Sequence, residues 1–168
     1  MAERRGTMTI AKGPVTQICW VTEDVAATEE YLSAHFEVGP WTRLPDIHFD
    51  PENCLLREQP ADFVVHVSLA YAGDLQLEII QPVSGDSIYA DFLKTNQPGL
   101  HHLCFEVDDM DVALATAAAD GVEVAQRGSM MGGEMRFAYL DGAHVGVPYI
   151  ELAWLGDGMK AFYESLPR

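Results

Sequence analysis

Apolar residues recur along this chain with two periods. Runs in which apolar and polar positions alternate mark strands. They fall at about 15–22, 41–44, 63–71 and 75–80, and again at about 101–107, 122–126, 135–140 and 148–154. Longer stretches at 24–36 and 109–120 have helical spacing, and each opens on an aspartate, Asp24 or Asp109, suited to cap a helix N-terminus. Gly121 can end the second helix in the left-handed conformation. A short helix is expected at 88–95, with Tyr89, Phe92 and Leu93 on one face. Met159, Phe162, Tyr163 and Leu166 follow the i, i+3, i+4, i+7 spacing of a C-terminal helix.

The order strand, helix, three strands therefore occurs twice, and the sequence itself repeats. Gln17-Ile18-Cys19-Trp20-Val21 lies over His102-Leu103-Cys104-Phe105-Glu106, and Asp24 then falls on Asp109. Leu77-Glu78-Ile79 matches Ile150-Glu151-Leu152. Side chains alternate across a strand. Ile18 with Trp20, Leu103 with Phe105, Leu77 with Ile79 and Ile150 with Leu152 make apolar faces for the helices. The opposite faces carry Gln17 and Cys19, His102 and Cys104, Glu78 and Glu151. Four strands thus each present one metal-capable group at repeat-equivalent positions. A lone Gln or Glu on a half-buried strand is ordinarily solvated or paired, so the weight rests on the set of four. Two carboxylates flanked by aliphatic residues are costly to bury without a partner, and a cation supplies one.

Composition narrows the function. The net charge is −16, with ten Lys and Arg against 26 Asp and Glu. Nucleic acid and anionic membrane surfaces require clustered cations, so neither is an expected partner. No apolar run reaches the roughly 18–20 residues of a membrane helix. No signal-length apolar stretch follows Arg4 and Arg5, which makes a cytoplasmic location the expectation. Cys19, Cys54 and Cys104 form no disulfide framework.

The repeat and its four polar positions resemble the vicinal oxygen chelate superfamily of glyoxalase I, methylmalonyl-CoA epimerase, bleomycin-resistance proteins and extradiol dioxygenases. The resemblance implies an α+β fold: two tandem βαβββ modules forming a cupped mixed sheet with helices on its outer face. It implies one domain over 14–155, with modules at about 14–82 and 99–155, followed by a C-terminal helix over 156–168. It also implies Gln17, Glu78, His102 and Glu151 as ligands of one divalent metal ion per chain. Such a set suits Zn, Mn, Co, Ni or Fe. Leu77-Glu78-Ile79-Ile80-Gln81-Pro82 and Gly99-Leu100-His101-His102-Leu103-Cys104 look closest to the epimerases, although Gln17 stands where that pattern has His. Asp62 falls near the place of an epimerase acid/base carboxylate.

The expected chemistry is proton transfer next to the carbonyl of a small, largely apolar substrate, by an isomerase, epimerase or lyase. Glu151 or Glu78 would serve as the catalytic base. Cys19, Trp41, His48, Asp62, His66, Cys104, Met130 and Met131 are candidates to line the pocket. His48 is expected in a loop reaching over the cup, and Met130 and Met131 in an apolar loop at its mouth. His101 is expected to point away from the cup as a structural residue. Two other classes stay open: a methylmalonyl-CoA epimerase-like enzyme, and a non-catalytic protein that sequesters a small molecule. An extradiol dioxygenase ranks last because only one His holds a ligand position. A homodimer is the assembly kept open.

Overall fold

The computed structural model describes residues 8–168. The first module runs β1 (Gln17–Val21), α1 (Val25–Phe36), β2 (Thr42–Phe49), the short strands β3 (Cys54–Leu56) and β4 (Gln59–Pro60), β5 (Phe63–Ala72) and β6 (Leu75–Gly85). Helix α2 (Ile88–Thr95) joins it to the second module. That module runs β7 (Gly99–Glu106), α3 (Met110–Ala119), β8 (Val124–Met130), β9 (Met135–Asp141) and β10 (Tyr149–Leu155), followed by α4 (Asp157–Ser165). The Asp24 side chain accepts from Ala27 N at 3.0 Å and the Asp109 side chain from Val112 N at 3.0 Å, so both caps form at matching places in the repeat.

Among the described residues, ten strands form one mixed sheet in the order β2-β5-β6-β1-β7-β10-β9-β8-β3-β4. Within each module the first and last strands pair in parallel, β1 with β6 and β7 with β10. The antiparallel β1–β7 pair joins the modules at the centre. Side-chain alternation then divides the core in two. On the outer face, α3 packs Met110, Ala113 and Ala117 on Ala138, Leu140 and Leu152. The concave face carries Cys19, Val65, Ile80, Cys104, Phe137 and Tyr139 in a second, larger cluster. Helices α2 and α4 belong to this inner cluster, through Ile88, Tyr89 and Phe92 and through Met159 and Leu166, so two of the four α-helices close the cup and do not cover its back.

The first module departs from the expected three strands after the helix, whereas the second keeps them. Strand β2 continues to Phe49, so His48 lies in an edge strand and not in a loop over the cup. Chain leaving β2 turns at Asp50, whose carboxylate accepts from the amides of Glu52 (2.9 Å) and Asn53 (3.1 Å). It then enters β3, which pairs with β8 of the other module, Cys54 opposite Gly128. A strap from the first module thus adds to the edge of the second, and Phe49 is held between Phe63 (4.9 Å between centroids) and Phe137 (5.4 Å). Gly128 permits this approach, since a Cβ there would lie 2.7 Å from Asn53 O and 2.8 Å from the Phe137 ring. Gly128→Val should therefore displace the strap and cost about 1–3 kcal/mol. Chemical denaturation at equilibrium checks this, and an unchanged midpoint would show that the strap contributes nothing to stability.

Candidate metal centre

The centre is built by the four central strands, β6, β1, β7 and β10. Gln17 and Cys19 on β1 stand beside Gln76 and Glu78 on β6, and Cys104 on β7 stands beside Glu151 on β10. Cys19 lies opposite His102 and Gln17 opposite Cys104 across the β1–β7 seam. Alternation turns all of these toward the cup. His102 Nε2 lies 3.1 Å from Glu151 Oε2 and 3.4 Å from Glu78 Oε2, yet it has no aligned hydrogen-bond partner and is fully buried. One end of the Gln17 amide lies 3.3 Å from Glu78 Oε2 and 3.2 Å from Glu151 Oε2, and the other 2.6 Å from Gln76 Oε1. With its nitrogen toward Gln76 the oxygen faces the carboxylates, and in the reverse orientation the nitrogen donates to both carboxylates. An amide, two carboxylates and an imidazole nitrogen thus converge on one point, where either a proton on His102 or a cation can sit between the carboxylates. That donor set fits a divalent cation, because a cation is what makes such a gathering of acceptors favourable. Cys19 Sγ stands within 4.8 Å of the Glu78 and His102 ligand atoms.

The surroundings set the ionisation. Burial works against charge on His102, but Glu151 and Glu78 outweigh it and hold the imidazole up at about 9 in the metal-free chain. Burial raises Glu151, His102 opposes that rise, and the nearby Glu78 charge adds to it. Burial and the same carboxylates push up the thiols of Cys19 and Cys104 and the phenols of Tyr89 and Tyr139. These four groups are neutral and face the carboxylates as weak donors.

A family profile for the glyoxalase/bleomycin resistance protein/dioxygenase superfamily matches residues 16–139. The chain belongs to this superfamily. Over 52 residues it is 44% identical to the mitochondrial methylmalonyl-CoA epimerase of Bos taurus, a match covering 30% of this chain and 28% of that protein's length. The crystal structure of methylmalonyl-CoA epimerase from Mycobacterium tuberculosis superposes with a TM-score of 0.65 at 16% identity, over 94% of this chain and 97% of that one. A methylmalonyl-CoA epimerase in complex with methylmalonyl-CoA and NH4+ superposes with a TM-score of 0.57 at 20% identity, over 86% and 95%. The cupped sheet of tandem modules is thus the superfamily's fold.

Within this superfamily fold, the remaining candidates divide. Met130 lines the cup; Met131 lies beyond it, half exposed in a single 3-10 turn. His48 and Asp62 bond to each other at 2.7 Å on the exposed edge, so Asp62 does not reach the cup. His66 also faces outward, its Nδ1 accepting from Asp46 N at 3.1 Å. Trp41 donates to Ser33 Oγ at 3.0 Å beside α1, outside the cup. His101 differs from its expectation. A register shift between Cys19 and Trp20 makes it the bulged residue of β7, so it turns inward with His102 and not away from it. The two Nδ1 atoms lie 2.9 Å apart, and Tyr89, Phe92 and Tyr149 pack around the His101 ring.

Sequence reasoning passes over Tyr89 and Tyr139, whose hydroxyls bond at 2.7 Å inside the cup. Tyr139 pairs across the sheet with Glu151, so alternation from that glutamate would have found it. The cavity bounded by Glu78, Glu151, Tyr89, Tyr139, Met130 and Met159 holds about 50 Å³. A second cavity of about 270 Å³ reaches Gln17 and Cys104 from the side of Lys160 and Arg168. Tyr163 and Met135 line both and form the partition between them.

A raised imidazole gives the metal-free chain a defined pH response. Unfolded His titrates near 6.5, so the stabilisation from charged His102 is fully present below about pH 6.5 and is lost as the pH rises through about 9. The raised Glu151 acts in the same direction. The melting temperature of chelator-treated protein should fall across that window, and saturating divalent metal should remove the fall. A flat profile without metal would mean that His102 is neutral there.

Proposed function

We propose that this chain is a metal-dependent enzyme of the epimerase type, which removes and returns a proton on the carbon next to the carbonyl of a small, largely apolar acyl group. The observation that carries this is the gathering of Glu78 and Glu151 within 3.4 Å of His102 Nε2, with the Gln17 amide beside them and both carboxylates lining a cavity with apolar walls. Gln17, Glu78, His102 and Glu151 would hold a Zn, Mn, Co, Ni or Fe ion, which supplies Lewis-acid polarisation of the substrate carbonyl.

The chain's own groups do the rest. Glu151 faces the cup between His102 and Tyr139, where its carboxylate would meet the carbon next to a bound carbonyl. It takes the proton from the carbon, holds it on a carboxylate oxygen, and can return it to the same carbon. Glu78, related to Glu151 by the repeat, borders the same cavity and is placed to serve the opposite face. Ile80, Val67, Leu69 and Phe137 keep water from the reacting carbon. The Tyr89–Tyr139 hydroxyl pair offers donors to oxygen within an otherwise apolar wall.

The named relatives favour an acyl-CoA thioester as the compound to test first. Two features pull away from methylmalonyl-CoA itself: Gln17 in place of His, and Asp62 outside the cup. A cavity of about 50 Å³ also admits only a small acyl end unless α4 shifts. Proton exchange from methylmalonyl-CoA in deuterated buffer, beside a panel of small ketones, tests the proposal. Metal-loaded protein should catalyse exchange on at least one of these compounds, and chelation should abolish it. Glu151→Gln should lower the rate by about 10²–10⁴-fold while the folded fraction is maintained. Exchange that persists undiminished in Glu151→Gln removes Glu151 from the base role. Tight binding of the same compounds without any exchange would instead make the chain a sequestering protein.

A further inference from the structure

We propose that Gln76 is a positioning residue of the metal centre: it selects which end of the Gln17 amide faces the cation. This rests on the metal-binding reading above. An imidazole at this position presents a lone pair through either ring nitrogen that is unprotonated. An amide has one ligating end and one donating end of nearly the same shape, so something must choose between them. Gln76 stands directly beside Gln17 in the parallel β1–β6 register, and both side chains are buried.

The contacts form a chain that can run in either direction. In the ligating direction Gln17 Nε2 donates to Gln76 Oε1 at 2.6 Å, and Gln76 Nε2 donates to the Tyr71 hydroxyl at 2.9 Å. The Tyr71 ring lies under the Arg168 guanidinium, 3.9 Å from the ring centroid. With its nitrogen engaged this way, Gln17 must direct its oxygen at the oxygens of Glu78 and Glu151. Reversed, Gln17 would donate to both carboxylates, and its oxygen would meet Gln76 Oε1 at 2.6 Å. Gln76 would then have to reverse as well, with the Tyr71 hydroxyl changing from acceptor to donor. The two amides are therefore coupled in orientation, and an acceptor at position 76 is what makes the ligating orientation of Gln17 available in a buried setting. A buried amide whose NH2 lacked any acceptor would instead turn it to the carboxylates and present no lone pair to a metal.

Co(II) alone tests this, without substrate. Chelator-treated full-length protein is titrated with Co(II) and followed by the visible ligand-field bands, in wild type, Gln76→Leu, Gln76→Glu, Gln17→Ala and the double variant Gln17→Ala/Gln76→Leu. Partners one step removed from a metal ligand typically contribute about 10–100-fold in affinity, so Gln76→Leu should bind Co(II) weaker by that factor, with an altered band envelope. Gln76→Glu, which keeps an acceptor on Gln17 Nε2, should bind at least as tightly as wild type. The double variant should be no weaker than Gln17→Ala, because Gln76 acts through Gln17. Far-UV circular dichroism verifies folding, and Gln76→Met replaces Gln76→Leu if the latter does not fold. Wild-type affinity in Gln76→Leu overturns the proposal, as do losses that add in the double variant or a Gln76→Glu as weak as Gln76→Leu. Wild-type protein that takes up no Co(II) overturns this role and the metal reading together. Co(II) binding in the expected pattern without exchange on any carbonyl compound overturns the proposed reaction and leaves the role of Gln76 standing.

Discussion

Keeping two carboxylates within reach of one imidazole nitrogen, inside an apolar cup, is the constraint on which this structure turns. Glu78 and Glu151 are buried or nearly so, and each ends within 3.4 Å of His102 Nε2. A lone buried carboxylate is expensive, and two together are more so unless a positive charge lies between them. Either a shared proton or a cation can supply that charge, and the two compete for the same lone pairs. The parallel pairing of first and last strands in each module makes the arrangement possible: it sets a carboxylate strand beside the amide strand on one side of the seam and beside the imidazole strand on the other.

The cup is closed over by elements outside the repeat. The strap through β3 brings Phe49 against Phe137, and α2 and α4 seat Tyr89 and Met159 over the carboxylates. Burial first, and next to it the charge of Glu78 and Glu151, drives the thiols and phenols facing the centre toward their neutral forms. The polar groups left facing the cavity are few and specific in direction, the usual character of a site that orients a small molecule.

Much of this was legible in the sequence because one rule, alternation along a strand, acts without regard to the rest of the fold. It predicts the inward facing of Gln17, Cys19, Glu78, His102, Cys104 and Glu151, and the repeat aligns them before any contact is known. The same rule misleads at His101, since a bulge adds one residue to β7 and shifts the parity there. It was equally available for Gln76 and Tyr139, which share faces with Glu78 and Glu151, but neither residue is a usual metal ligand and so neither draws notice. The strap was not legible: Cys54–Leu56 is only three residues long, and its partner lies in the other module. The periodicity of the C-terminal helix was plain in Met159, Phe162, Tyr163 and Leu166, but nothing local states which surface such a face will cover.

The strap also has a bearing on how the chain comes into being. Cys54 finds its partner at Gly128, and β1 finds one of its two neighbours at β7. While the first module is being synthesised, its apolar concave face and two open strand edges have nothing to close against. They stay exposed until most of the second module has followed. The repeat therefore describes two similar segments that are not two independent folding units, and the interval before closure is when the nascent chain is most open to pairing with the wrong edge.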